Sequence, residues 1–185
     1  MRTLIVYSTR YGATAEASQE MAKVLREEGF EVKVIDVKKD KVKEISEYDL
    51  VLVGSGLQMG KWTGDAEGFL KKFHLELAEK KHALFVSTMK MVSEREGKLN
   101  EVEESRKVAL EDKVTLYKLN PIALGFFGGL LDFNKMNFIF RKTMGFLKPQ
   151  LEADGFKEIR PGVYDLRDMN EIRNWTRDLA KKARQ

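Results

Sequence analysis

Leu4-Ile5-Val6-Tyr7-Ser8-Thr9-Arg10-Tyr11-Gly12-Ala13-Thr14 is the stretch on which the reading of this chain turns. Its first half is a continuous apolar run ending in small polar residues, the pattern of a parallel strand buried on both faces. From Ala13 a different period begins: Ala17, Met21, Val24 and Leu25 recur on one helical face until Gly29 stops the helix. A strand that runs straight into a helix leaves hydroxyls, a glycine and consecutive backbone N–H groups at the positive end of the helix dipole. Those are the groups that hold a phosphate. Gly12 lets the backbone close around an anion, and Arg10 can add charge. The plainer reading of the same turn is an N-capped helix start, with Thr9 or Thr14 as the cap.

Working outward, the alternation continues. Glu31 to Val37 reads as a second strand, Lys41 to Glu47 as a short helical connection, and Leu50 to Val53 as a third strand running into Gly54-Ser55-Gly56. Ala66, Phe69, Leu70, Phe73 and Leu77 fall at helical spacing, Ala83 to Val86 is a fourth strand ending in Ser87-Thr88, and Pro121 to Phe127 is a fifth. The closing helix spans Asp168 to Lys182, with Asp168 and Glu171 spaced as a capping box. Strand–helix alternation predicts a doubly wound parallel sheet with helices on both faces. In such a sheet ligands bind beyond the carboxyl ends of the strands, so the loops after the first, third and fourth strands should carry the site. The charged stretch Ser93–Lys113 and the stretch Leu130–Glu158 read as insertions, near 90–118 and 130–158, on a single domain covering 1–185. By default the first is a solvated helix.

Composition narrows the chemistry. The chain has 185 residues, 33 of them Lys or Arg and 29 Asp or Glu, and no Cys. Thiolate zinc, iron–sulfur clusters, disulfides and Cys nucleophiles are therefore excluded. Only His74 and His82 are present, and both read as surface or boundary residues without a catalytic role; no metal site is expected. Redox chemistry would have to come from an organic cofactor. No apolar run approaches the roughly 20 residues that span a bilayer, and the first residues do not form a signal peptide, so a cytoplasmic protein is expected. Between Phe133 and Pro149 four basic residues, Lys135, Arg141, Lys142 and Lys148, meet no acidic one, and that segment accounts for the whole net charge of +4. Elsewhere base and acid are interleaved, and no nucleic-acid motif is present.

Two familiar phosphate motifs fail. No G-x-G-x-x-G follows the first strand, and Gly54 to Trp62 only imitates a P-loop, with Trp62 where Ser or Thr is required. Thr9-Arg10-Tyr11-Gly12-Ala13-Thr14 instead resembles the flavodoxin phosphate loop T-x-T-G-x-T, departing from it at Tyr11, which removes one hydroxyl donor. Gln58-Met59-Gly60 resembles the flavodoxin loop whose Met-Gly peptide faces flavin N5. Within flavodoxin-like proteins the chain is most similar to the menaquinone-dependent protoporphyrinogen IX dehydrogenases, in Leu4 to Thr14 and in the aromatic, basic stretch around Phe138–Lys148.

The resemblance implies a five-stranded parallel sheet of order 2-1-3-4-5 and FMN as cofactor. The phosphate would lie on Thr9, Arg10, Tyr11, Gly12, Ala13 and Thr14. The ring would sit between Gly56, Leu57, Gln58, Met59, Gly60, Lys61 and Trp62 on one side and Ser87, Thr88 and Met89 on the other. Met59 and Trp62 are candidates to lie against the ring, although Trp62 reads equally as a core residue at a helix start. Lys61 stands where flavodoxins commonly carry an acid. A cation there would raise the flavin potential and favour an electron-accepting dehydrogenase over a low-potential carrier. The implied partners are a reduced organic substrate such as a porphyrinogen and a quinone or redox protein. The alternatives are a small FMN electron carrier and, given Tyr11, a flavin-free interaction protein. At helical spacing Phe133, Met136, Ile139, Phe140, Met144 and Leu147 share one face of Phe133–Pro149, with Arg141, Lys142, Lys148 and Phe138 off it. That helix either covers the sheet or docks peripherally on a quinone-bearing membrane or an anionic substrate.

Overall fold

The computed structural model describes residues 1–136 and 138–185; of Met91, Phe140 and Thr143 the backbone alone is described. Strand β1 (Arg2–Ser8) leads into helix α1 (Ala13–Glu27), then β2 (Glu31–Asp36), β3 (Leu50–Gly56), α2 (Gly64–Ala78) and β4 (Lys81–Thr88). Helices α3 (Lys90–Arg95) and α4 (Leu99–Arg106), a π-helical turn (Lys107–Glu111) and α5 (Asp112–Tyr117) lead to β5 (Ala123–Gly128). Beyond it come β6 (Leu130–Asp132), a 3-10 turn (Phe133–Lys135), α6 (Phe138–Met144), α7 (Leu147–Ala153), β7 (Glu158–Arg160), β8 (Val163–Asp165) and α8 (Met169–Arg184). The first five strands pair in parallel in the order β2-β1-β3-β4-β5, the order expected, and all seven residues of β3 are buried.

Period two along the strands sorts the core onto two faces. Leu4, Val6, Val51, Val53, Leu84 and Val86 pack with α2 and the π-helical turn. Ile5, Leu50, Leu52 and Phe85 pack with α1 and α8. At the crowded centre only glycine fits at 54, where a Cβ would stand 2.1 Å from the Phe85 ring.

Four expectations are revised. Residues 41–47 form no helix: a segment that short cannot cover the nucleation cost of a helix, and it is pinned instead by buried Ile45 and by Lys72 Nζ, which donates to the Val42 carbonyl at 2.9 Å. His82 is fully buried in β4, with its Nδ1 2.9 Å from the Lys80 carbonyl oxygen and its pKa pushed down by burial. The charged stretch 93–113 is not uniformly solvated, because the π-helical turn brings Ala109 and Leu110 into the core with no exposure at all. At the last helix Asp168 caps as expected, accepting from the Asn170 and Glu171 amides at 2.8 and 3.2 Å, but the Glu171 carboxylate accepts from Lys90 Nζ at 2.7 Å.

The largest departure lies after β5. β6, β8 and β7 form a separate antiparallel sheet in that order, absent from the sequence reading. Leu131, Phe133, Met136, Leu147, Leu151, Tyr164 and Leu166 build a small core of their own beneath it. The single helix expected over 133–149 is broken into the 3-10 turn, α6 and α7. Ile139, placed on the covered face by its spacing, is 77% exposed. Phe140, expected on that face, lies outside the described side chains.

Candidate functional site

The turn from β1 to α1 is built to leave donors free. Gly12 is the N-cap of α1 at φ 105, a conformation glycine adopts without strain, and no side chain caps the helix. Thr9 Oγ1 accepts from the Gly12 amide at 2.9 Å, so Thr9 shapes the loop and does not cap the helix. The first intrahelical bond is Glu16 N to Gly12 O at 3.1 Å, which leaves the amides of Ala13, Thr14 and Ala15 without helical acceptors. Beside them the Thr14 hydroxyl is fully buried and has no hydrogen-bond partner among the described residues. Gly56 opens the adjoining space: a Cβ there would lie 3.4 Å from both Thr14 Oγ1 and the Arg10 amide nitrogen.

The loop after β3 closes on itself. Gln58 and Lys61 exchange backbone hydrogen bonds at 3.1 Å each way around Met59 and Gly60, both at positive φ (52 and 71). Two positive φ values in a two-residue loop make a type I′ turn. Met59 at its tip is 87% exposed. Behind the turn Ser55 Oγ accepts from the Thr63 amide at 2.9 Å, and Trp62 Nε1 donates to the Ala109 carbonyl in the π-helical turn at 2.7 Å. From the loop after β3 the Leu57 amide donates to Ser87 O on the fourth strand at 3.0 Å, and at that strand's end Thr88 Oγ1 accepts from the Lys90 amide at 2.8 Å.

These three loops line one cleft, which encloses about 790 Å³ of empty space with its mouth included. One end is formed by Thr9, Arg10, Tyr11, Ala13 and Thr14, one side by Gly56, Leu57, Gln58, Met59 and Gly60, and the other by Ser87, Thr88 and Met89. Gly12, Lys61 and Trp62 do not line it. Gly12 acts through its backbone, and Lys61 is exposed and contributes the main-chain bonds of the turn. Trp62 is 4% exposed, with its ring in the core. Indole bulk and an N–H with a buried carbonyl to satisfy draw it inward, away from the ring-stacking position.

The remaining wall comes from Gly129, which the sequence places at the approach to the flavin, from Leu130, Leu131 and Met136 after β5, and from Ser105 of α4. The doublet Gly128-Gly129 was the available signal. A Cβ on Gly128 would stand 1.9 Å from Leu166 O and one on Gly129 2.9 Å from Thr88 O, so the chain passes here only as glycine. Tyr11 belongs to the same junction. Its ring packs against the small core of the antiparallel sheet, and its pKa is raised by burial, with Arg10 opposing and Asp132 adding. Where the flavodoxin loop pattern has a hydroxyl donor, this chain has a ring that supports the added sheet.

A profile of the flavodoxin domain matches residues 4–157. The chain belongs to the flavodoxin domain family. Its fold superposes on a flavodoxin from the domain Archaea with a TM-score of 0.59 at 14% identity, over 100% of both chains. It superposes on a short-chain flavodoxin associated with a bacterial microcompartment at 0.56 and 13%, over 99% of each. In sequence it is 33% identical over 72 residues to protoporphyrinogen IX dehydrogenase (quinone) of Escherichia coli strain K12, covering 39% of this chain and 40% of that protein. The match thus spans two fifths of that relative's length. A protein of the same name from Leishmania major is 26% identical over 182 residues, 97% of this chain and 74% of that protein.

Membership of the flavodoxin family implies a flavin cofactor, and the cleft suits one. The unpartnered Thr14 hydroxyl and the free amides of α1 fit a phosphate group, while Met89, Leu130, Leu131 and Met136 give the rest of the cleft the apolar character a flat ring system needs. Among the described residues, no helix is long and apolar enough to cross a membrane.

Proposed function

We propose that the cleft binds FMN and that the protein is an oxidoreductase, taking electrons from a reduced organic substrate of the porphyrinogen type and passing them to a quinone. The observation that carries the reading is the Thr14 hydroxyl, buried without a partner among the described residues, beside three amides that lack helical acceptors, at one end of a cleft that also carries the apolar groups Met89, Leu130, Leu131 and Met136. A buried hydroxyl left unsatisfied is costly, and an anion at the helix N-terminus would satisfy it together with the amides. In this reading Thr14 and the α1 amides hold the phosphate, Arg10 adds charge, and the Gln58–Lys61 turn fixes the edge of the ring. Bound FMN would supply exchange of one or two electrons together with hydrogen transfer.

The choice of an organic substrate rests on the wall supplied by residues 129–136. Leu130, Leu131 and Met136 extend the apolar lining beyond the three loops of the parallel sheet, giving a lipophilic reactant a surface to pack on. Similarity to the two dehydrogenases supports the same substrate class. The exposed Met59 favours a second reading, a flavodoxin-type electron carrier, because the turn would present the cofactor's edge to a protein partner. Anaerobic turnover separates them. An enzyme reconstituted with FMN should oxidise protoporphyrinogen with menadione as acceptor, at a rate that saturates in both. Exchange of electrons with a one-electron protein partner, without turnover of any reduced organic donor, would replace the first reading by the second. Protein that stays colourless after incubation with FMN would overturn both.

A further inference from the structure

We propose that the outward face of α6 and the turn after it docks on the surface of an anionic lipid bilayer. Phe138, Ile139 and Phe146 are 71%, 77% and 70% exposed, three large apolar side chains in water within nine residues. Close by in sequence, Met136, Leu147 and Leu151 are buried in the small core and anchor this segment to the fold. The cations divide in the same way. Lys135 lies 3.6 Å from Asp132 and Lys148 lies 3.7 Å from Glu158, whereas exposed Arg141 and Lys142 form no ion pair among the described residues. Phe138 and Lys142 are spaced i,i+4 on α6, and no acidic residue occurs from Phe133 to Leu151.

Apolar side chains interleaved with unpaired cations on one short element are what an interfacial segment presents to lipid. The aromatic and aliphatic groups enter the headgroup boundary while the bases meet lipid phosphates. A second copy of the chain fits less well. A two-fold contact sets the patch against itself, bringing Arg141 and Lys142 of each copy together as like charges. A protein partner would ordinarily meet a charge-depleted centre with a polar rim, and here the charges lie among the apolar groups. The position has a consequence: Met136, two residues before Phe138, lines the cleft. Docking would set the cleft's apolar wall beside the bilayer, within reach of a lipid-soluble reactant. The inference goes beyond the redox reading and does not depend on it, since binding is measured on the protein with no turnover.

The test is co-sedimentation with vesicles of phosphatidylcholine alone and of phosphatidylcholine mixed with phosphatidylglycerol, at low and high salt. The protein should bind the mixed vesicles, detach as salt rises, and ignore phosphatidylcholine. Arg141→Glu with Lys142→Glu should weaken binding by at least about thirtyfold, because each basic side chain near an anionic surface contributes roughly fivefold. Phe138→Ser with Phe146→Ser should abolish binding without moving the urea midpoint. If either pair lowers the midpoint, the other, which acts by a different chemistry, decides. Failure of the parent protein to bind mixed vesicles overturns the proposal, as does binding by the Glu pair that matches the parent. Self-association of the parent that the Ser pair abolishes, with no vesicle binding, would assign the face to a second copy instead.

Discussion

Residues 50–56 and residues 138–146 make opposite use of apolar side chains. Leu50 to Gly56 form the middle strand of the parallel sheet, every residue buried and both faces covered by helices. Phe138, Ile139 and Phe146 are as apolar as anything in that strand, yet more than two thirds of each is in water. The first region buries its hydrophobic groups because backbone pairing leaves them no other direction. In the second, the covered positions are taken by Met136, Leu147 and Leu151, with Met144 packed against them, while Phe138, Ile139 and Phe146 are exposed. A hydrophobic residue is therefore evidence about structure in one region and evidence about partners in the other.

The sharpest break in this comparison would come from truncating each region and measuring urea unfolding. Phe85→Ala removes a fully buried ring that packs against Phe127 and Trp175, and should cost about 3–5 kcal/mol. A loss below 1 kcal/mol would mean the sheet core is far looser than its burial implies. Next in size is Thr14→Val, which should weaken FMN by about 1.5–3 kcal/mol, the worth of a hydrogen bond to a charged group. Riboflavin should be nearly unaffected, since it has no phosphate. Equal losses for both ligands, read by fluorescence titration, would place the phosphate elsewhere.

Trp62→Phe keeps a ring in the core and deletes the bond to the Ala109 carbonyl, leaving that acceptor unsatisfied at a cost of about 1–3 kcal/mol. Full stability in this variant would show that water replaces the indole N–H. Alkaline pH tests the α2–α5 contact. Tyr117 donates to Glu67 Oε1 at 2.6 Å, and burial together with that carboxylate pushes its pKa up to about 12. The unfolded chain releases this proton near 10, so the stabilisation is complete below about pH 10 and is lost as pH rises through about 12. Tyr117→Phe should flatten that part of the curve of urea midpoint against pH. Smallest of all, Phe146→Ser should change stability by no more than about 0.5 kcal/mol, as for an exposed position. A larger loss would return the residue to the fold and remove it from the docking face.

The comparison also marks what could be read in advance. The parallel strands, the α1 start and the three cleft loops follow from periods of two and 3.6 and from a glycine beside hydroxyls, all patterns within a few residues of one another, whereas the strand order came only with the flavodoxin resemblance. The antiparallel sheet escaped because β6, β7 and β8 have three residues each, too few for a period, and β6 pairs with β8 across more than thirty positions. Ser105 and Met136 escaped for the same reason: each reaches the cleft on an element whose own sequence contains no sign of the cleft.

Trp62 and Tyr11 show where the division falls. The sequence by itself determined that two bulky aromatic groups flank the loops of a strand–helix turn, along with the parallel sheet that carries those loops. Only the tertiary structure decided where their rings go. The π-helical turn offers Trp62 the Ala109 carbonyl, and the small core after β5 offers Tyr11 a surface to pack on. Local pattern sets which residues a strand or helix presents on each face, because backbone geometry repeats along the chain. Which partner a presented side chain meets depends on segments brought from far away, 47 residues distant for Trp62, and no local period encodes that.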